Sequence, residues 1–470
     1  MPLTANRATD LLGCELPIVL AGMGGVARSE LVGAVTAAGG FGFLGMVREP
    51  ALLIAREVEA LRRMGYGNFG VNIIPAATER ALLERQIETI IELHVPAVAL
   101  FWDIDARVVA RLRDAGITVV YQVGSVDEAI AAERAGAQMI IAQGVEAGGH
   151  VRGTRPLREL LPATAAAVDV PVLAAGGLTT GGDLVTALAL GAGGMVLGTA
   201  LLATHESFAH DAHKQRLIGA ASGDTVLTDT FHINWPPGAP VRVLKSDVTA
   251  GRRGKSHANE RVVIGEEDGR PIYLFSTDSP LRSMTGEFDA MALYAGTGVG
   301  RIRKIESAGA RLGEIAAEAK RQLAATDVTT IPSSASAVCY AAEMSGVYMG
   351  TLEPDEMAAA MQDVAASLLS VLQSELEESA AGRFDAPPFA QETYPLAAWT
   401  AKLRMLAGGT RPFGAAAALA DLPALARRLG ELAPLMPDGE PRETIARLRQ
   451  VLAERATQQV VRTLQLSLTS

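Results

Sequence analysis

Short apolar runs alternate with alanine-rich helical stretches over roughly the first 200 residues, and this alternation limits the possible folds more than any other feature. Eight of the runs have the length and composition of buried strands. They lie at residues 17–21, 41–45, 69–72, 97–101, 118–122, 139–143, 172–175 and 195–197. Strands that alternate with helices form parallel sheet with right-handed crossovers. Such units can build either an open doubly wound sheet or a closed barrel.

The positions of glycine and polar residues favour the closed barrel. An open sheet would carry its signature glycines after the first strand, whereas a barrel carries functional residues after several strands at one rim. Here such residues follow strands one, three, five, six, seven and eight. We therefore predict an α/β fold of the (β/α)8 TIM-barrel type.

The strand–helix rhythm stops after Leu202, and the chain beyond it predicts two further regions. Residues 203–283 contain proline turns and a charged stretch, which indicate an inserted lid or second lobe. Beyond about residue 327, apolar residues recur at helical spacing, which predicts an all-helical C-terminal extension. The predicted domains are a cofactor-binding barrel at 1–205, a lid or substrate lobe with a return helix at 206–325, and a helical extension of unassigned role at 326–470.

Charge and cysteine content exclude several classes of function. The net charge of −10 gives no electrostatic reason to expect binding to nucleic acid or to an anionic membrane. Cys14 and Cys339 are far apart and lack metal-ligand spacing, so we expect neither a disulfide framework nor a cysteine metal site. The chain start lacks a signal-peptide pattern, and no apolar run reaches the ~20 residues of a membrane helix. We expect a cytoplasmic protein.

The turn after the first strand has the composition of a site for a flat ligand. It reads Ala21, Gly22 and Met23, followed by two more glycines. Glycine lets the backbone approach a ligand closely, and methionine offers a polarizable surface beside it. The alternative is an ordinary tight turn.

The turns after the seventh and eighth strands together predict a phosphate site. Ala175, Gly176 and Gly177 end the seventh strand, and Gly198 and Thr199 follow the eighth. In barrels these two loops commonly bind phosphate through backbone N–H groups. Two ordinary glycine turns remain the alternative for the pair.

Three amide side chains lie at the same end of three strands. Asn72, Gln122 and Gln143 end the third, fifth and sixth strands. An amide can donate to and accept from a heterocycle that carries carbonyls and ring nitrogens. Each one alone could instead be a loop cap, but three at one rim favour a shared ligand.

The sixth turn contains the candidate catalytic residue, His150. It follows Gly148 and Gly149 on a loop that we place at the rim. An imidazole takes up and releases a proton near neutral pH, because its ordinary pKa is about 6.5. A polar surface histidine is the alternative. We expect Glu146, in the same turn, to be a hydrogen-bonding carboxylate at a helix end.

Other histidines and a later glycine turn predict no chemistry. His205, His210 and His213 match no zinc-ligand spacing, and we interpret them as an exposed helix face. The GTGVG stretch at residues 296–300 resembles part of a dinucleotide fingerprint, but no strand–helix–strand context surrounds it. We predict no metal.

The motifs together resemble the nitronate monooxygenase family, also called 2-nitropropane dioxygenases. The matching stretches are PIVLAGMGG, FGVNIIP, AQGVEAGGHVRG, PVLAAGGLTTGGD, GAGGMVLGTALLAT, DTVLTDTF and YAGTGVGRI, which span roughly residues 16–323. The resemblance implies a flavoprotein that oxidises alkyl nitronates, or nitroalkanes, with O2 to carbonyl compounds and nitrite. It implies FMN at the barrel mouth, and His150 matches the catalytic histidine of the family. The implied cofactor contacts are the phosphate on Gly176, Gly177, Gly198 and Thr199, and the isoalloxazine near Gly22, Met23, Asn72 and Gln122.

Two departures from the family pattern leave alternatives open. The first turn has Ala-Gly-Met where family members often have Ala-Pro-Met, and the region beyond about residue 327 has no recognised counterpart. Three roles are open for that region: formation of a homo-oligomer, binding of a protein partner, or a lid. The alternative functions are an FMN- and NAD(P)H-dependent enoyl-acyl-carrier-protein reductase, which has a similar EAGGH turn, and a non-catalytic flavin-binding module.

Overall fold

The computed structural model describes residues 6–236, 238–254 and 261–325. Eight parallel strands form a closed barrel, which confirms the predicted α/β barrel. The eighth barrel strand pairs with the first and closes the barrel. The barrel strands, numbered along the whole chain, are β1 Ile18–Leu20, β2 Phe41–Gly45, β3 Gly70–Ile73, β4 Ala97–Phe101, β5 Thr118–Val123, β6 Met139–Gln143, β8 Val172–Ala175 and β9 Gly194–Leu197.

Helices cover the outside of the barrel and continue beyond it. They are α1 Arg7–Leu12, α2 Ser29–Ala37, α3 Ala51–Arg63, α4 Arg80–Glu92, α5 Ala106–Asp114, α6 Val126–Ala135, α7 Leu157–Ala167, α8 Gly181–Ala189, α9 Thr199–Leu202, α10 Asp211–Ile218 and α11 Ala308–Ala325. Short 3-10 helices lie at Pro75–Ala77, Ser222–Asp224, Phe288–Ala290 and Thr297–Arg301. None of the described helices has the length and apolar character that crossing a membrane requires.

Aromatic rings and small residues fill the barrel interior together. Phe41 and Phe43 meet edge to face, with ring centroids 5.1 Å apart. Phe43 lies against Gly70 on the next strand, where a Cβ would be 2.3 Å from the ring. Alanines on β4 leave further room. A few large side chains therefore fill the core only because their neighbours are small, which agrees with the low aromatic content.

The segment inserted between α9 and α11 contains two small antiparallel sheets. One has the order β10–β11–β7 and the other β13–β12–β14. Their strands are β7 Gly149–His150, β10 Thr225–Thr228, β11 Val241–Leu244, β12 Val263–Glu267, β13 Arg270–Tyr273 and β14 Met284–Gly286. Strand β7 comes from the sixth barrel turn, so one of these sheets is shared between the turn and the insertion.

The insertion packs on the C-terminal rim of the barrel. Val26, from the first barrel turn, belongs to the same buried cluster as Phe231, Val241 and Met291. Residues 192–320 form one compact unit with the chain up to residue 187. A lid function for the insertion stays a prediction, and the predicted helical extension at 326–470 lies outside the described residues.

Candidate active site

One cavity of about 920 Å³ lies at the C-terminal end of the barrel strands. The structure brings every predicted site residue to its wall, although they come from the ends of six different strands and the turns after them. These residues are Ala21, Gly22, Met23, Asn72, Gln122, Gln143, Gly148, Gly149, His150, Ala175, Gly176, Gly177, Gly198 and Thr199. Their contacts with a cofactor stay a prediction, but their convergence shows that the sequence identified one continuous surface.

The turn after β8 exposes backbone N–H groups to the cavity. Gly176 and Gly177 have φ values of 123° and 70°, which L side chains rarely adopt. The N–H groups of Gly176, Gly177 and Gly198 donate to no acceptor within the described part of the chain. Consecutive unpaired N–H groups of this kind form a concave anion site without a basic side chain.

A buried ion pair holds this turn in place. The Asp183 carboxylate is fully buried and accepts from the N–H groups of Thr179 and Thr180, at 2.7 and 3.0 Å. Arg301 pairs with Asp183 at 2.8 Å, and its other nitrogen donates to the carbonyl oxygen of Gly177 at 2.6 Å. The turn is therefore held at the carbonyl oxygen of Gly177 and at the N–H groups of Thr179 and Thr180.

The GTGVG stretch completes the same end of the cavity, a role that the sequence analysis missed. Gly296 N–H donates to Thr199 Oγ1 at 3.0 Å, and Thr297 N–H donates to the carbonyl oxygen of Glu146 at 3.0 Å. The Thr297 hydroxyl is enclosed and has no hydrogen-bond partner among the described residues. The available signal was the glycine density of the stretch together with its place among the family motifs.

At another wall of the cavity, the backbone of Gly22 packs tightly against the side chain of Asn72. A Cβ on Gly22 would lie 2.1 Å from the Cβ of Asn72, so this position requires glycine. The Asn72 amide donates to the carbonyl oxygen of Ala99 at 3.0 Å. Gln122 also lines the cavity, and its amide makes no hydrogen bond to any residue that the structure describes. The Gln122 amide is therefore available to a ligand.

His150 lies on a strand, where the sequence predicted a free loop. Strand β7 pairs with β11, and His150 is opposite Val241. The buried Gln143 amide fixes the same segment, because it donates to the carbonyl oxygen of His150 at 2.8 Å and accepts from the N–H of Arg152 at 3.2 Å. Gln143 thus supports the histidine backbone while it lines the cavity.

Two aromatic rings from the insertion enclose the His150 imidazole. The Trp235 ring centroid lies 3.3 Å from that of His150, and the Tyr294 centroid lies 5.5 Å away. The Nε2 atom is buried and has no hydrogen-bond partner among the described residues. Burial, and then the positive charge of Arg48, lower the pKa of His150 to about 3. The imidazole is therefore neutral at neutral pH, and the same burial makes it a weaker base than an exposed histidine.

The prediction for Glu146 is confirmed. Its carboxylate accepts from the N–H of Leu157, the first residue of α7, at 3.0 and 3.2 Å. Burial raises the pKa of Glu146 above its ordinary value. Arg242 supports the same turn, since two of its nitrogens donate to the carbonyl oxygen of Val145 at 3.0 and 2.8 Å.

The predicted exposed histidine face is wrong for His213. This side chain is fully buried, and its Nε2 and Nδ1 atoms lie 3.1 Å from the carbonyl oxygen of Tyr294 and 3.3 Å from the hydroxyl of Ser279. Burial lowers the pKa of His213 to about 4. His205 is exposed as predicted, but it lies outside the helices. His210 is half-buried, caps the start of α10 and stacks on Phe288.

The family model and the curated relatives give the same family. The family model described as "Nitronate monooxygenase" matches residues 5–318. A probable nitronate monooxygenase of Staphylococcus aureus (strain MSSA476) is 32% identical over 269 residues, which are 48% of this chain and 76% of that protein.

Two solved structures share the described fold over about two thirds of the chain. A nitroalkane oxidase from Streptomyces ansochromogenes has a TM-score of 0.55 at 30% identity, and the match covers 67% of this chain and 98% of that one. FabK from Thermotoga maritima has a TM-score of 0.57 at 26% identity, with 68% and 98% covered.

Proposed function

The chain belongs to the nitronate monooxygenase family, and on that premise we propose that it oxidises alkyl nitronates with O2 to carbonyl compounds and nitrite, with FMN as its cofactor. The observation that carries the proposal is that His150, whose enclosed Nε2 has no partner among the described residues, lines the same cavity as the glycine turns with their unpaired N–H groups. The glycine turns suit a phosphate group, and His150 places a base at the wall of the same cavity.

The residues of the cavity fit FMN. The N–H groups of Gly176, Gly177 and Gly198 would hold its phosphate, since they lack partners in the described chain and need no basic side chain there. Gly22 and Met23 offer a backbone and thioether surface for the flat ring. Bound there, FMN would supply the electron-transfer and O2 chemistry that amino-acid side chains lack.

The neutral state of His150 decides between two roles for it. A neutral nitroalkane must lose its α-proton, and the unpaired Nε2 of His150 can accept that proton. A protonated His150 could instead stabilise a nitronate anion, but a pKa of about 3 leaves little imidazolium at neutral pH. The low pKa therefore disfavours a standing imidazolium, and the unpaired Nε2 is the observation that supports the base. An alkyl nitronate has already lost the proton and needs no base.

The aromatic cover over His150 keeps water from the proton acceptor. Trp235 is buried and Tyr294 is only partly exposed, and both rings contact the imidazole. A dry site lowers the competition between water and substrate for Nε2, at the expense of a less basic imidazole.

Replacement of His150 by asparagine separates the two substrate forms. We expect His150→Asn to lower kcat/KM for neutral nitroethane by about 100- to 10,000-fold, the usual contribution of a general base. Turnover of ethylnitronate should fall far less, because no proton is removed. His205→Asn makes the same change at an exposed position and serves as the control. Equal turnover of nitroethane by His150→Asn and wild type, with FMN bound in both, would remove His150 as the base.

Anaerobic mixing of the same FMN-loaded protein distinguishes the reductase alternative. Under the proposed function, ethylnitronate bleaches the flavin absorbance rapidly and NADH does so slowly. Rapid bleaching by NADH alone, without a response to nitronate, would favour the reductase instead.

A further inference from the structure

Arg48 is a cavity-lining residue with an unusual backbone. It lies three residues after β2, at the rim, and has a φ of 60°. A long side chain rarely adopts this left-handed conformation, and such outliers cluster at functional sites. The surrounding contacts therefore hold the Arg48 side chain against a local backbone preference.

The contacts of Arg48 place it on the wall that covers His150. Its Nη1 donates to the carbonyl oxygen of Asn234 at 2.9 Å, next to Trp235 in the chain. Its Nη2 makes a weak contact of 3.5 Å with the hydroxyl of Thr277, whose carbonyl oxygen accepts from the Tyr294 hydroxyl at 2.8 Å. The guanidinium thus contacts the segment that carries the Trp235 ring and the residue that accepts from the Tyr294 hydroxyl.

Most of the hydrogen-bonding capacity of this guanidinium is unused. A guanidinium has five N–H donors, and the described residues accept from it twice, both times through neutral oxygens. Its Nε is buried and has no partner there. Polar groups that are enclosed and unpaired are costly, so they indicate a missing acceptor.

Arg48 also differs from the other arginines of the cavity in charge compensation. Arg28 pairs with Glu49 at 3.0 Å, Arg56 with Glu57 at 3.6 Å, and Arg270 with Glu267 at 2.7 Å. Among the described residues, no carboxylate lies within ion-pair distance of Arg48. It is therefore the one arginine of this cavity whose positive charge lacks a carboxylate partner in the described chain.

We propose that Arg48 binds the anionic O–N–O group of the substrate beside His150, an assignment that rests on the proposed function. A planar guanidinium can donate to two oxygens of one group at once, which an ammonium cannot do in the same way. Arg48 would hold a nitronate that enters as an anion, and it would stabilise the charge that appears when a neutral nitroalkane loses its proton to His150. Arg48 would thus bind the negative charge of the substrate, and His150 would remove the proton.

Nitrate is a suitable probe, because it is a planar anion that carries the same O–N–O arrangement. We expect titration of the FMN-loaded full chain with sodium nitrate to perturb the flavin absorbance saturably, with sodium chloride at equal ionic strength as the reference. In Arg48→Gln the Kd for nitrate should rise about 10- to 100-fold, the usual loss of a charge-assisted hydrogen bond. Arg48→Lys keeps the positive charge but lacks the paired N–H donors of the guanidinium. Its Kd for nitrate should lie between the values of the wild type and Arg48→Gln.

Arg252→Gln is the matched control for net charge. Arg252 is exposed and pairs with Asp247 on the surface of the insertion, and it does not line the cavity. The Kd of the Arg252→Gln protein for nitrate should stay within about twofold of the wild-type value. In steady-state assays, Arg48→Gln should raise KM for ethylnitronate by a similar 10- to 100-fold, with a smaller change in KM for neutral nitroethane.

The outcomes separate this assignment from the proposed function. An unchanged Kd for nitrate in Arg48→Gln, or no saturable response of the wild type, would overturn the role of Arg48. Loss of FMN from both Arg48 variants would overturn it too, since it would assign the residue to the cofactor. If the wild type binds nitrate through Arg48 but oxidises neither nitronate nor nitroethane, the anion site stands and the proposed function fails.

Discussion

The two ends of the cavity are built in different ways. At one end, glycine turns after β8 and β9 present backbone N–H groups, and a buried Asp183–Arg301 pair holds the backbone from behind. At the other end, His150 lies among side chains from distant parts of the chain, namely Trp235, Tyr294 and Arg48.

The two ends differ in the groups that they can bind and in how far that binding depends on pH and on the surrounding packing. Backbone N–H groups bind an anion whatever its attached group, and they keep the same charge at every pH. The imidazole end carries a titratable base and an arginine whose interactions depend on the surrounding packing. The first end is thus suited to a constant cofactor, and the second to a reacting substrate.

The largest effect is expected at the glycine end. Gly177→Ala places a side chain at a φ of 70°, with its Cβ 2.8 Å from Thr297 Oγ1. We expect the Kd for FMN to rise about 10- to 100-fold, because left-handed strain and the clash both disturb the turn. Quenching of FMN fluorescence measures this. Gly116→Ala has similar strain at a φ of 78° with open space around it, so its FMN affinity should not change. Equal affinity in both variants would contradict a backbone phosphate site.

A smaller effect is expected where Gln143 holds the imidazole end. Gln143→Met leaves the carbonyl oxygen of His150 and the N–H of Arg152 without their present partner. We expect a loss of about 2 kcal/mol in unfolding free energy and a lower kcat for nitroethane. Gln138→Met removes one amide contact elsewhere in the barrel, to Val119, and should leave kcat unchanged. A Gln143→Met protein with wild-type kcat would show that the backbone of His150 needs no such support.

The smallest effect concerns the pH dependence of stability at His213, which contacts the backbone of Tyr294. Burial lowers the pKa of His213 to about 4, below the ordinary value near 6.5. Its contribution to stability is present above pH 6.5 and is lost as the pH falls, because the unfolded chain binds the proton first. We expect the wild type to lose about 1 kcal/mol more per pH unit than His213→Gln between pH 6.5 and 5. Denaturant unfolding of both proteins checks this, and parallel curves would refute it.

The sequence predicted the barrel and the residues of the cavity wall because both depend on local patterns. Strands β2, β4, β6 and β8 begin and end at the predicted residues, since each is a short apolar run bounded by turn residues. Glycines and amides at strand ends are equally local signals. In a parallel barrel, all carboxyl ends of the strands meet at one rim, so the convergence of these residues followed from the fold class.

The features that the sequence did not predict depend on packing between segments that are far apart in the chain. His213 has the spacing of an exposed helix face, but later residues of the insertion, Ser279 and Tyr294, contact its ring. Burial of this kind cannot be inferred from the spacing of residues along one helix. Trp235 and Arg48 carried no motif, because their importance comes from contacts between segments far apart in the chain. The GTGVG turn acquires its role only from its contact with Thr199.

The pairing of β7 with β11 has an evolutionary consequence. Among the described strands, the two-residue segment that carries His150 is paired only with a strand of the insertion, while the N–H groups of Gly176, Gly177 and Gly198 come from the barrel itself. Exchange of the insertion would therefore leave His150 and these N–H groups in the barrel, but it would remove the strand that pairs with the histidine segment. Substitutions in the insertion can thus alter the surroundings of the imidazole while the glycine turns of the barrel stay unchanged.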